Sequence, residues 1–344
     1  MLHARRRTFS FAPNRRGLWL AALALVAGTS VTGTAAGAGE PDGLAGDWSL
    51  RFASGTPGWM RVVEKNDGAQ VFFRRYIGPD GPYDAVPAAD GRLRFRVDRG
   101  RRQNVGTATS VDAGLKDGRL DGVLIRRLAD GTEEREAFTG TRIPPMPDEA
   151  PDLSNVRFGH PIALFNGKDL TGWRPHEADK INGWSVEDGL LVNSTPKTDF
   201  SATGAHANLR TVEEFEDFWL HLEFLVEENR NSGVYLRGMY EAQVVDRDSR
   251  MQGEQGVGAI FGAIAPSENA GRPGGEWQTY DITLVDRHVT VVLNGTTVID
   301  NQPISAPTAG AIYTDPSKPG PIYLQGDHTS VAFRQIYLAP VVRD

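Results

Sequence analysis

The 344-residue sequence contains no cysteine. This excludes a disulfide framework, a thiolate nucleophile, an iron–sulfur cluster, cysteine-ligated zinc and a lipoprotein anchor. Its seven histidines are scattered without an H-x-x-x-H pair, which argues against a histidine zinc site. No block of single-sign charge stands out. The 37 Lys and Arg are interspersed with 44 Asp and Glu for a net charge of −7, so nucleic acid is not an expected partner. No amphipathic helix longer than about two turns is evident, Val212–Phe218 being the best short candidate. What the chain does have is 39 glycines and 21 prolines at an ordinary 40% hydrophobic content. That composition suits a folded protein built from short strands and many turns.

Residues 1–38 read as an export signal. Five arginines, among them the pairs Arg6-Arg7 and Arg15-Arg16, precede the apolar run Leu18–Ala27, and small residues end in Ala36-Gly37-Ala38. Ten apolar residues are too few to cross ~30 Å of hydrocarbon as a helix. The paired arginines resemble a twin-arginine leader. The expected location is the periplasm or the cell exterior, with no stable membrane span after cleavage. Removal would leave 32 basic against 44 acidic residues, a net charge of −12.

From residue 39 to 142, runs such as Trp48–Phe52, Gln70–Tyr76 and Arg92–Val97 alternate between apolar and polar. Asp-Gly pairs at 90–91, 117–118 and 130–131 separate such runs. Alternation marks half-buried strands, and Asp-Gly favours tight hairpins because glycine accepts positive φ. A small β-barrel or β-meander domain of unstated role is expected. Residues 143–157 open with four prolines in nine positions and form the expected linker. From 158 to 344 the strands lengthen, as in Leu220–Val226 and Val289–Leu293, with Asn294-Gly295 as a hairpin signal. The fold class is therefore all-β, and the C-terminal region is expected to form a pair of packed antiparallel sheets.

Alternation also sorts side chains. If Leu222 and Phe224 face the core, Glu223 faces away; Arg237 opposes Leu236, Glu241 shares a face with Gln243, and Gln325 opposes Leu324 with His328 just beyond. Carboxylates, a guanidinium and amides on one groove suit sugar hydroxyls, which both donate and accept hydrogen bonds. The bland alternative is a solvated sheet face with cross-strand ion pairs.

Residues from about 161 to 340 resemble the 3-keto-disaccharide hydrolase domain family. The resemblance runs through Leu164–Trp173, Trp184–Leu190, Asn231–Gly238 with Tyr240–Gln243, Gly258–Gly262, Pro273–Trp277 and Gly320–Gln325. It closes at Phe333–Ile336, where Gln335 stands in place of the asparagine expected in that motif. The resemblance implies a concanavalin A-like jelly roll and a carbohydrate substrate, a glycoside oxidised at C3. A C3 ketone acidifies the C2 hydrogen, so a base can drive elimination of the group at C1, followed by hydration. The candidate base is Glu241, with Glu223 second. Arg237 or His328 would stabilise the enolate, and Asn231, Tyr235, Gln243 and Gln325 would bind substrate. No cofactor is certain; a divalent cation is a candidate, with Asp246 a weak ligand. The alternatives are ordinary two-carboxylate hydrolysis and a non-catalytic lectin stacking sugars on Trp173, Tyr235, Tyr240 or Trp277. Oligomeric state has no signature here.

Overall fold

The structure, a computed structural model, describes residues 43–77, 80–97, 107–196, 202 and 204–343. The export segment 1–38 lies outside the described residues. Among them, no helix is long and apolar enough to cross a membrane.

The first half is a closed eight-stranded barrel, each strand hydrogen-bonded to the next in sequence. The strands are β1 (Gly46–Phe52), β2 (Pro57–Lys65), β3 (Gly68–Arg75), β4 (Tyr83–Pro87), β5 (Leu93–Arg96), β6 (Ala108–Lys116), β7 (Arg119–Arg127) and β8 (Glu133–Arg142). β8 closes the ring on β1, pairing Leu50 with Gly140 and Phe52 with Phe138. The alternating apolar positions meet inside: Trp48, Leu50, Phe52, Val71, Phe73, Phe95, Leu120 and Phe138 are all buried. The Phe52 and Phe138 rings lie 5.1 Å apart. Each such side chain removed from water contributes about 1.5–3 kcal/mol. The interior is thus a packed core, as expected for eight strands. The stripe Arg92, Arg94 and Arg96 points outward, with Arg92 and Arg94 both ion-paired to Asp112.

The second half is a two-sheet sandwich. One sheet has the order β10 (Trp173–Pro175), β13 (Leu209–Thr211), β20 (Tyr323–Leu324), β15 (Asn231–Leu236), β16 (Tyr240–Val245). The other has the order β11 (Trp184–Glu187), β12 (Leu190–Asn193), β21 (Val331–Pro340), β14 (Phe218–Leu225), β17 (Trp277–Val285), β18 (His288–Leu293), β19 (Thr296–Pro303), with β9 (Ile162–Ala163) paired to β21. Leu220, Leu222 and Phe224 from one sheet pack on Val234, Leu236, Ala242 and Val244 from the other in one buried cluster. This is the pair of packed antiparallel sheets expected from the strand pattern, and the jelly roll that the family resemblance implies. A bulge interrupts the β14–β21 register near Glu223, and Gln335 beside it takes φ 51°, a conformation asparagine accepts more readily.

The two halves meet along one loop. Arg61 donates to the Ser305 carbonyl at 3.2 Å, Ser49 and Thr314 share a 2.8 Å hydrogen bond, and the Gly310 amide donates to Tyr76 O at 2.9 Å. The proline-rich stretch lies against the sandwich, its Pro144 carbonyl accepting from Arg287 at 2.8 Å.

Candidate active site

β15 and β16 are buried on both faces, because loops and the barrel cover the side of the sheet turned away from the core. In their antiparallel register Tyr235 lies opposite Glu241, and Gly233 opposite Gln243. Directly paired residues point to the same side, so all of these face the covered side. Tyr323 of β20 pairs with Tyr235, and Gln325 follows two residues on. Between this floor, the barrel tip and the 254–264 loop lies a cavity of about 470 Å3, a size that suits a small ligand.

Six of the eight expected residues line it: Asn231, Tyr235, Glu241, Gln243, Gln325 and His328. Glu241 is 3% exposed. Burial pushes its carboxyl up to about 8; the charge of Asp327 adds to the rise, while hydrogen bonds with Tyr235 and Gln325 oppose it. Gln325 Nε2 donates to Glu241 Oε1 at 3.3 Å, leaving the buried Gln325 Oε1 without a partner among the described residues. That oxygen is able to accept from a hydroxyl. The Tyr235 hydroxyl also donates to the Ala309 carbonyl at 2.8 Å. Room for the carboxyl depends on Gly233: a Cβ there would fall 2.2 Å from Glu241 Oε1.

His328 supplies the imidazole. Its Nδ1 lies 2.7 Å from Asp327 Oδ1, an arrangement that orients the ring. Asn208 fixes the turn beneath, its Oδ1 accepting from the Gly326 and Asp327 amides at 2.8 and 3.2 Å. Gln243 is committed within the protein, donating to Gln255 O at 3.1 Å and accepting from the Val244 amide. Its role is to hold the 251–262 loop rather than to offer free hydrogen-bonding groups.

Two expected catalytic residues are elsewhere. Glu223 does face away from the core, but β14 belongs to the other sheet, so its outward side is the opposite surface of the sandwich. There it pairs with Arg334, which stacks over Trp277 at 4.0 Å. Alternation tells which side of a strand a residue takes, and says nothing of which sheet the strand joins. Arg237 is displaced for a different reason. It sits past the end of β15 with φ 55°, followed by Gly238 at φ 63°, and this tight turn breaks the alternation. Its side chain, 2% exposed, donates to the Pro316 carbonyl at 2.7 Å and lies 3.9 Å from Asp217. Asp246 also lies outside the cavity, its carboxylate accepting the Asn229 and Asp248 amides at 3.0 Å each. Among the described residues, no three His, Asp or Glu side chains are grouped to hold a metal ion. Of the four aromatic residues considered for sugar stacking, only Tyr235 lines the cavity.

Several lining residues escaped sequence reasoning: Tyr76, Asn208, Phe261 and Tyr323. Tyr323 shares its face with Gln325 by alternation and was within reach of that argument. Tyr76 was not, because it comes from the barrel. It lies just beyond β3 with φ 61°, and burial, with Asp327 and Glu177 nearby, pushes its phenol up to about 12. A second cavity of about 490 Å3 lies around Arg51, Arg119, Glu214 and Lys318, but no imidazole lines it among the described residues.

Residues 160–339 match the family described as 3-keto-alpha-glucoside-1,2-lyase-like domain. The match covers more than half of the chain, and the chain belongs to this family. A 3-keto-disaccharide hydrolase of Bacteroides thetaiotaomicron is 24% identical over 143 residues, 34% of this chain and 49% of that protein. The chain thus matches about half the length of this relative. Among solved structures, a candidate glycosyl hydrolase of Parabacteroides distasonis aligns with TM-score 0.42 and 21% identity over 53% of this chain and 94% of that one. The endo-beta-1,3(4)-glucanase SCLam aligns with TM-score 0.34 and 12% identity over 56% of this chain and 93% of that one.

Proposed function

We propose that this protein cleaves glycosides whose sugar carries a ketone at C3, with Glu241 as the base that removes the C2 hydrogen. The observation that carries the reading is a carboxyl, buried and pushed up to about 8, in a cavity that also holds the His328–Asp327 pair. A carboxylate with so high a pKa is a far stronger base than an ordinary glutamate, and it is poised near the pH at which it works. The ketone makes the C2 hydrogen acidic enough for such a base. As the C2 proton passes to Glu241, the C1–O bond breaks and His328 gives the departing oxygen its proton. The unsaturated 3-keto sugar then takes up water, its oxygen going to C1 and a proton to C2.

With Arg237 away from the cavity and Arg250 exposed at its mouth, a neutral donor on the floor would face the developing enolate. Tyr323 is suited to that role, since burial holds its phenol well above the ordinary range and it keeps its hydrogen at every working pH. Gln325 Oε1 would accept a sugar hydroxyl. On the strength of the 1–38 segment, the enzyme would act in the periplasm or outside the cell.

The test is release of nitrophenol from p-nitrophenyl glucoside and from its 3-keto form. Release from the keto substrate alone, with Glu241→Gln lowering kcat by about 10²–10⁴-fold, is the expected result. Equal release from the plain glucoside would mean ordinary hydrolysis, and binding of both without release would mean a lectin.

A further inference from the structure

The barrel has no role in the reading above, yet its β3–β4 tip closes one side of the cavity. Tyr76 and Ile77 both line it. Their position is fixed from three directions. The Gly310 amide donates to Tyr76 O at 2.9 Å, Arg74 donates to the Pro307 carbonyl, and the Arg74 guanidinium pairs with Asp80 across the tip. The loop that receives the tip is tied to the floor in turn, because Thr308 Oγ1 accepts the Glu241 amide at 3.0 Å and the Ala309 carbonyl accepts the Tyr235 hydroxyl. Consecutive residues therefore connect the base, its neighbour and the barrel.

The cavity is also divided by polarity. The buried floor carries Glu241, Gln325, Asn231 and Tyr235, none more than 8% exposed. At the mouth, Ile77 is 63% exposed, with half-buried Phe261 and Ala309 close by and Arg250 as the exposed charge. A sugar ring, rich in hydroxyls, is matched by the floor. The mouth is matched by something with an apolar face.

We propose that the Tyr76–Ile77 tip of the barrel is the wall for the leaving group, and that it selects glycosides with an aromatic or otherwise apolar aglycone. This rests on the function proposed above, in which the sugar occupies the floor. The barrel is then a component of the substrate site rather than an accessory domain.

Because the Ile77 side chain projects into solvent, Ile77→Ser can be made without opening a core. Full-length wild type, Ile77→Ser and Ile77→Leu are compared on p-nitrophenyl and methyl 3-keto-glucosides. Loss of a few methyl groups from an apolar contact costs on the order of tenfold, so the aryl-to-methyl ratio of kcat/KM should fall about tenfold in Ile77→Ser. The fall should come through KM, be restored in Ile77→Leu, and leave Tm unchanged. An unchanged ratio, or equal losses on both substrates, overturns the proposal. The wall is also read without turnover, by calorimetric titration with plain p-nitrophenyl and methyl glucosides. If the wild type releases nothing from either keto substrate, the proposed reaction fails by itself. The wall then stands if Ile77→Ser loses an affinity advantage for the aryl glucoside, and falls if the two glucosides bind alike.

Discussion

Replacing Glu241 by glutamine should have two effects of opposite sign. A carboxyl raised from 4.5 to about 8 is held in a place that disfavours its charge. Below pH 4.5 the folded and unfolded chains both keep the proton, and nothing is lost. Between pH 4.5 and 8 the unfolded chain releases it while the folded chain retains it, so stability falls as pH rises through this window. At ~1.4 kcal/mol per pH unit the full loss approaches about 5 kcal/mol. Glutamine is nearly isosteric, carries no charge, and can still accept from Gln325. The variant should therefore match the wild type at pH 4 and exceed it by about 2–5 kcal/mol at pH 8.5. In a protein of this size that is a rise in Tm of about 3–7 °C. Over the same range its turnover of the keto substrate should be nearly abolished. The assay pairs denaturant unfolding at pH 4 and pH 8.5 with kinetics on the same samples. A variant that is less stable than wild type at pH 8.5, or equally affected at both pH values, would refute the claim that burial sets this carboxyl.

Other expectations follow from the same geometry. Since the proposed reaction needs Glu241 as the carboxylate and His328 carrying the proton it gives up, kcat/KM should be bell-shaped in pH with one apparent pKa near 8; a profile with no inflection there would remove Glu241 as base. Gly233→Ala sets a methyl group against the Glu241 carboxyl and should cost about 1–3 kcal/mol in denaturant melts, with a larger proportional loss of kcat. Glu223→Gln breaks only a partly exposed ion pair on the far surface, so unfolding should change by less than about 1 kcal/mol. Its kcat/KM should stay within about twofold; a collapse of activity would return Glu223 to the site.

The strand pattern was legible because period-two alternation is a local property. Trp48–Phe52 and Leu220–Val226 each declare their buried side without reference to the rest of the chain. The same rule brought Glu241 and Gln243 to one face, since both lie on β16 two residues apart. It failed for Glu223, where the deciding fact is the sheet to which β14 belongs, set by pairing with β17 and β21 from much later in the chain. It failed for Arg237 because the turn begins one residue sooner than alternation assumes. Tyr76 carried no local mark of its role. Its place depends on a contact with Gly310 more than two hundred residues away.

Gly310 itself has little freedom to change. Its φ of 80° and the 2.6 Å that would separate a Cβ from the Tyr235 hydroxyl leave space only for hydrogen. Thr308, Ala309 and Gly310 act like a three-pronged hinge pin, with one prong in the base's strand, one in the strand beside it, and one in the barrel. Working the pin loose at any prong would slacken the other two. A change of fit where the barrel seats on this loop would therefore be passed to Glu241 without touching it.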